Sequence, residues 1–385
     1  MKIVLKRTDE QVELIKALAS KNREVAYDAQ VALAEFIGPV LAEVINNAPT
    51  VSNLFTSLQF NAEDNPSIPL DLYYDIFDED YIKVYSQSVA GGLPQNIVQP
   101  AASELKIATY RLDSAVAFDK KYAAKSRLDV VSKSFTRVAQ EVMLKQERTS
   151  ANLLMTALAS ASTGNGSATE NLHVFRSAGA NRFVLDDLNK MFTKIKRINS
   201  SFVGGTPSGA RRGLTDLIVS PEIVEQIRGM AYNPIATKGP DLTSAPAGGD
   251  DSIVAPESVR NELFNSGGLP EFYGVSIMEI LELGDGKKFN TIFGTVGGSS
   301  TTYAAHTVSG GGTTFDSATE QILVGLDRSR DALVRAVAVD SDTGSEFNLQ
   351  ADDQYTIRQG KIGYFGALEE GRMVLDNRAL IGLIV

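Results

Sequence analysis

From Ser126 to Ala161 the sequence carries a helical pattern of about thirty residues, and few folds have room for one that long. At 1.5 Å per residue such a helix spans roughly 45–50 Å, whereas the mean helix of a globular protein has about three turns. Ser126 and Asp129 make a capping-box-like start. Leu128, Val131, Phe135, Val138 and Val142 follow at alternating steps of three and four, which puts them on one face and marks that face as core. Lys133, Arg137, Glu141 and Lys145 occupy the other face, and Gly164-Asn165-Gly166-Ser167 ends the pattern.

The regions flanking this helix differ in texture. The first fifty residues predict helices, with Val12, Ile15 and Leu18 behind a Thr8-Asp9 start and Val25, Ala29, Ala32 and Phe36 continuing the stripe. Gly38-Pro39 is read as an interruption. These helices hold few large apolar residues, so they either pack on their own subunit's core or form an arm lying across a neighbour. Ser57 to Phe118 reads as a polar two-stranded ribbon. Tyr81-Ile82-Lys83-Val84-Tyr85 and the run Leu105 to Leu112, which includes Lys106, Tyr110 and Arg111, alternate with period two. A lone two-stranded ribbon is marginal in water, so this one is expected to lie on another molecule.

Beyond the long helix, an Asp186 cap opens a helix through Leu188, Met191, Phe192, Ile195 and Ile198. Leu217-Ile218-Val219 predicts a buried strand, with Ser220 as N-cap and Pro221 at the first helical position of the next helix. Further strands are expected at Tyr273 to Ile277, Ile322 to Leu326, Tyr355 to Arg358 and the apolar run Ala379 to Val385, with a Gly, Ser and Thr stretch from Gly294 to Gly312.

Charge and composition narrow the function. A net charge of −10 argues against gripping nucleic acid through clustered cations, although an acidic protein can still enclose DNA that something else drives in. With no cysteine, disulfides, thiolate metal sites and cysteine nucleophiles are excluded. No secretory pattern and no apolar run of membrane-spanning length is visible, which predicts a reducing, aqueous setting. The two histidines, His173 and His306, are far apart in sequence. Gly284-Asp285-Gly286-Lys287-Lys288 lacks the first glycine and the hydroxyl of a phosphate loop. Asp340-Ser341-Asp342-Thr343-Gly344 has its glycine one place early for a calcium loop, and Ala351 stands where a bidentate Glu is needed. No catalytic, cofactor-binding or metal-binding residues are therefore assigned.

The order of these parts is similar to that of the Hong Kong 97 fold of tailed-bacteriophage major capsid proteins, an α+β fold, over essentially the whole chain. Leu214-Thr215-Asp216-Leu217-Ile218-Val219-Ser220-Pro221-Glu222 resembles the family's strand-then-helix phrase, and Leu269 to Ile277 its turn into a core strand. The resemblance implies an N-arm over 1–56 and an extended E-loop over 57–118. It implies a peripheral domain over 119–213 containing the spine helix at 126–161, and an axial domain over 214–331. The chain then returns to the peripheral domain over 332–377 and closes the axial sheet with 378–385.

The implied function is structural. Copies form pentamers and hexamers of an icosahedral shell in the virion, assembled in the bacterial host cytoplasm and enclosing double-stranded DNA without sequence-specific binding. Ribbon residues Tyr81, Lys83, Tyr85, Lys106, Tyr110 and Arg111 are the expected assembly contacts. Because the arm begins almost at Met1, any scaffolding protein is expected to be a separate chain. A portal and decoration proteins are the other expected partners, with no cofactor and no membrane. An encapsulin-like compartment shell is the nearer alternative and a soluble α/β enzyme the farther one.

Overall fold

The computed structural model describes residues 8–46, 50–61, 66–69, 104–125, 127–161, 170–179, 181–199, 213–229, 271–272, 274–306, 313–328, 332–339, 345–352 and 359–385. In chain order the elements begin with helices α1 (Asp9–Leu18) and α2 (Arg23–Asn46), then strands β1 (Thr56–Asn61), β2 (Ser67–Pro69), β3 (Glu104–Lys106) and β4 (Thr109–Asp119). Helices α3 (Lys120–Ala124) and α4 (Leu128–Ala159), strand β5 (Glu170–Arg176), helix α5 (Leu185–Asn199), strand β6 (Asp216–Val219) and helix α6 (Pro221–Gly229) follow. Strands β7 (Glu271–Phe272) and β8 (Val275–Glu279) lead to helix α7 (Lys288–Gly297). Strands β9 (Thr302–Ala304), β10 (Ile322–Leu326), β11 (Leu333–Val339), β12 (Asn348–Asp352), β13 (Lys361–Val374) and β14 (Leu380–Ile384) complete the chain. The fold is α+β, with helices and mixed sheets in two compact units. Unit 1 comprises Met1–Ile68, Lys106–Ser150 and Leu333–Met373; unit 2 comprises Pro69–Leu105, Ala151–Ala332 and Val374–Val385.

Unit 1 is organised by β13. Its Lys361–Gly371 stretch runs antiparallel to β4, from Asp119 back to Thr109. On its other side Gly363–Ala367 pairs antiparallel with β12. The same sheet continues through β11 to β1, which pair in parallel with Thr56 opposite Val334. Ile15 and Leu18 of α1, Leu33, Ile37, Leu41 and Ile45 of α2, and Phe135, Val138 and Val142 of α4 share one core with Val337, Phe347 and Tyr364. Tyr364 stacks on Phe118 at 6.2 Å and meets the edge of Phe135 at 5.3 Å.

Several expectations change here. The inner faces of the helices of the first fifty residues pack on their own unit, where the stripe from Leu33 to Ile45 shares a core with α4 and β13. The stripe expected at Val25, Ala32 and Phe36 faces outward: Val25 is 44% and Phe36 55% exposed, while Ala29 is buried. Nor do Gly38 and Pro39 interrupt the helix, which runs through both to Asn46. Gly38 has Leu349 Cβ and Phe347 O each 3.8 Å from where its own Cβ would stand. The ends of the expected ribbon, β1 and β4, are strands of the unit 1 sheet. The run Leu105 to Leu112 is split between β3 and β4. The expected strand at Tyr355 to Arg358 lies outside the described residues.

Among the described residues the core hydroxyl of Tyr364 has no hydrogen-bond partner, although the residue is 1% exposed. Burial also pushes its pKa above the ordinary phenol value. Since an unpaired buried polar group is a net cost, Tyr364→Phe is expected to raise unfolding stability by about 1 kcal/mol. Chemical denaturation of the unassembled subunit checks this; a clear loss of stability instead means the hydroxyl has a partner.

Unit 2 is built on a seven-stranded sheet of order β7-β8-β6-β10-β14-β5-β9. β10 is antiparallel to both β6 and β14, and β14 is parallel to β5. All residues of β6, β10 and β14 are buried, which explains their continuous apolar runs. Leu188, Met191 and Ile195 of α5 and Ile223, Val224 and Ile227 of α6 pack with Leu217, Val219, Leu323, Ile381 and Leu383. Ser220 Oγ accepts from Ile223 N at 3.3 Å and caps α6. Strand β5 and helix α5 belong to unit 2, where β5 hydrogen-bonds to β14. The stretch Gly294 to Gly312 holds the end of α7 and strand β9.

Gly325, in the middle of β10, has no space for a side chain. A Cβ there would stand 2.8 Å from both Ile381 Cγ2 and Met191 Cε, and closer still to Leu214. Gly325→Ala is therefore expected to lower stability by about 1–3 kcal/mol, read from the denaturant midpoint. An unchanged midpoint would show that the α5 contact is slack.

Candidate functional site

One carboxylate joins most of the segments of unit 1. Alternate residues of a strand share a face, so Glu370 and Arg372 of β13 point the same way. Gln146 and Ser150, four apart on α4, do likewise. Glu370 has a fully buried side chain and accepts four hydrogen bonds. Oε1 accepts from Tyr110 Oη at 2.8 Å. Oε2 accepts from Gln146 Nε2, Arg335 Nε and Arg372 Nη2, each at 3.0 Å. Arg372 also donates to the Gln146 carbonyl at 2.7 Å, to Ser150 Oγ and to Ser52 Oγ at 2.8 Å. Its guanidinium lies 5.7 Å from the centre of the Phe55 ring. Arg335 reaches Asn46 Oδ1 at 3.2 Å, and the Asn46 amide donates to Glu346 at 2.9 Å.

Burial alone would raise the Glu370 pKa. The charges of Arg372 and Arg335 and the Tyr110 and Arg335 hydrogen bonds overcome it and hold the carboxyl below its ordinary range. Burial and the neighbouring Glu370 charge push the Tyr110 hydroxyl up. Three of the four donors converge on Oε2, and the fourth, Tyr110, donates to Oε1. The arrangement ties strands and helices of unit 1 together.

Unit 2 has a smaller polar cluster. His306, 8% exposed, sits with Nε2 2.8 Å from Asp186 Oδ2 and Nδ1 3.0 Å from Asp187 Oδ1. Asp187, fully buried, also accepts from the backbone N–H groups of Ala178 at 2.9 Å and Val184 at 3.0 Å. Ser177 Oγ lies 2.7 Å from Asp187 Oδ2, so the hydroxyl meets the carboxylate and not the imidazole, and no nucleophile–base pair forms there. His173 Nδ1 faces the Leu380 carbonyl at 3.0 Å, and burial holds its pKa below the ordinary value. Among the described residues no group of three or more His, Asp or Glu is arranged to hold a metal ion, and no helix is long and apolar enough to cross a membrane.

The residues singled out from the sequence fall in different places. Tyr81, Lys83 and Tyr85 lie outside the described residues. Lys106 is exposed on β3. Tyr110, half-buried, donates its hydroxyl to Glu370. Arg111 is exposed, bonded to Asp113 at 2.7 Å and 5.7 Å from the centre of the Phe365 ring. On α4, Val131, Phe135, Val138 and Val142 are buried, while the Leu128 side chain is outside the described residues. Sequence reasoning passed over Arg335, Glu370 and Arg372. The available signal was a charge inside an apolar strand run, Leu333-Val334-Arg335-Ala336-Val337.

No protein-family model matches the sequence, and no curated protein matches it either. Among solved structures, the chain is similar to mixed helix-and-sheet shell proteins. One is the capsid of Cyanophage P-SCSP1u, at 12% identity and a TM-score of 0.46, covering 87% of this chain and 88% of that one. Another is the mature capsid of bacteriophage PhiM1, at 10% identity and a TM-score of 0.44 over 87% and 86%. A third is the SrpI encapsulin complex of Synechococcus elongatus, at 12% identity and a TM-score of 0.38 over 86% and 85%.

Proposed function

We propose that this chain is a shell-building subunit of the tailed-phage major capsid type, with pentamers and hexamers of it forming an icosahedral head around double-stranded DNA. One observation carries the reading: most of a 32-residue helix and of a 14-residue strand frame unit 1, whose buried charges are committed to holding it together. That is a subunit built to bear load rather than to turn over a substrate. The acidic balance, −10 overall, suits an inner wall that does not clutch DNA and leaves filling to a motor. A separate scaffolding protein, a portal and decoration proteins are the partners this role calls for. The head of a virion, built in the host cytoplasm, is its place.

Size-exclusion chromatography and negative-stain microscopy of the expressed protein test the proposal. Closed megadalton particles are expected, and a small discrete oligomer at every concentration tried would overturn it. The contents of such particles separate two uses of one shell. Packaged nucleic acid supports the phage form, and a packaged protein supports an encapsulin-like form.

A further inference from the structure

Helix α5 separates its charges along its length. Its first turn holds Asp186 and Asp187, and from Leu188 to Thr215 the sequence has no acidic residue. Lys190, Lys194, Lys196 and Arg197 all fall in that stretch, in a chain whose net charge is −10. Leu188, Met191 and Ile195 turn inward to the core of unit 2. At about 100° per residue, Lys190, Lys194 and Arg197 lie within an arc of about 60° on the outer side. Lys196 lies about 100° further round, with the neutral Asn189 and Thr193 between.

Two of these cations are steadied by the sheet beneath. Lys190 Nζ and Lys194 Nζ stand 5.4 and 4.8 Å from the centre of the Phe175 ring on β5, a contact that positions an ammonium group without neutralising it. Lys196 and Arg197 are exposed. Asp187 is buried, and Asp186 faces His306 at 2.8 Å. Asp376, 11% exposed, lies 3.8 Å from Arg378. Glu222 and Glu225, with Arg228, belong to the separate helix α6. The cationic surface is therefore the last three turns or so of α5 itself. Resting on the shell reading above, we propose that this surface touches the phosphate backbone of the double-stranded DNA inside. Lys190 to Arg197 spans about 10 Å of helix axis, the length over which one DNA strand presents about three phosphates. So few contacts make a weak, sequence-independent and salt-sensitive touch, which suits a wall that leaves filling to a motor.

Fluorescence anisotropy of a short labelled DNA duplex with the unassembled subunit tests the contact. Affinity should fall about a hundredfold between about 50 and 200 mM salt, as four phosphate contacts require. Lys194→Gln, Lys196→Gln and Arg197→Gln together should weaken binding about tenfold or more at the lower salt and flatten the salt slope by about three. If circular dichroism shows that set unfolded, the exposed pair Lys196→Gln and Arg197→Gln should flatten the slope by about two. Lys16→Gln, Lys133→Gln and Arg137→Gln remove as much charge from exposed positions on α1 and α4 and should bind within about threefold of the parent. Equal losses from the two triple sets would mean that net charge alone governs binding, and the contact is wrong. A subunit that binds polyglutamate as tightly as the duplex overturns the choice of partner. Closed particles from a subunit with no affinity for the duplex sink the contact and leave the shell reading standing. Duplex binding through α5 by a subunit that never forms particles does the reverse.

Discussion

Glu370→Gln should unfold unit 1 at far lower denaturant than the parent, at a cost of about 3–5 kcal/mol, because it strands two buried cations. The Arg372 and Arg335 side chains are 1% and 7% exposed, and Glu370 is the carboxylate paired closely with both. The isosteric amide keeps the shape and removes the charge, so any loss is electrostatic rather than steric. Adding Arg372→Met should return part of the stability, since replacing a buried pair by apolar groups is far cheaper than breaking it. Chemical denaturation of the two variants checks both statements. A Glu370→Gln midpoint equal to the parent's would mean that water already reaches the cluster.

The same group gives a pH dependence with a defined sign. Its carboxyl is held below the ordinary value of 4.5 in the folded state, so the stabilisation is present above that value. It is lost as pH falls through the lower folded value. The parent should therefore lose stability in acid more steeply than Glu370→Gln, whose residue 370 has no proton to gain.

Val138→Asp is expected to abolish the native fold of the subunit, with a loss of about 4 kcal/mol or more. Val138 is 6% exposed and lies on the inner face of α4 in the cluster with Phe135, Val142 and Val337. The carboxylate would be buried among these apolar side chains or forced to take up a proton. Gln140→Asp, on the exposed side of the same helix, should fall within about 0.5 kcal/mol of the parent. Circular dichroism and denaturant midpoints of the two variants discriminate. Similar midpoints for both would mean that the inner face of α4 does not pack as described.

Some of this was legible in the residue order for physical reasons. α4 shows itself because its apolar residues recur at three and four steps over many turns, a pattern no strand sustains. The β6–Ser220–Pro221–α6 unit shows itself because a cap and a proline mark the turn chemically. α2 does not reveal its inward face, because alanine and valine surround it on all sides and only the surrounding core chooses between them.

β13 was missed because glycines and paired glutamates hide a buried strand. Gly366 is there for the Phe347 ring, which occupies the place of a side chain, and Gly371 because the Ala108 carbonyl would come within 2.7 Å of a Cβ. α7 was hidden in the same way, since Gly297 leaves room for the Tyr303 hydroxyl, 2.6 Å from a Cβ placed there. The Glu370 cluster draws on residues from Asn46 to Arg372, and no local pattern can announce a meeting of groups so far apart.

β13 pairs with β4, β11 and β12, and β14 fills the gap between β10 and β5. A ribosome must therefore deliver Lys361–Ile384 before either sheet has its central member. Until then the earlier segments wait, with α2 presenting greasy surface on both sides and Arg335 without the Glu370 carboxylate that pairs with it. Synthesis of the earlier segments and completion of the two sheets are thus separated in time.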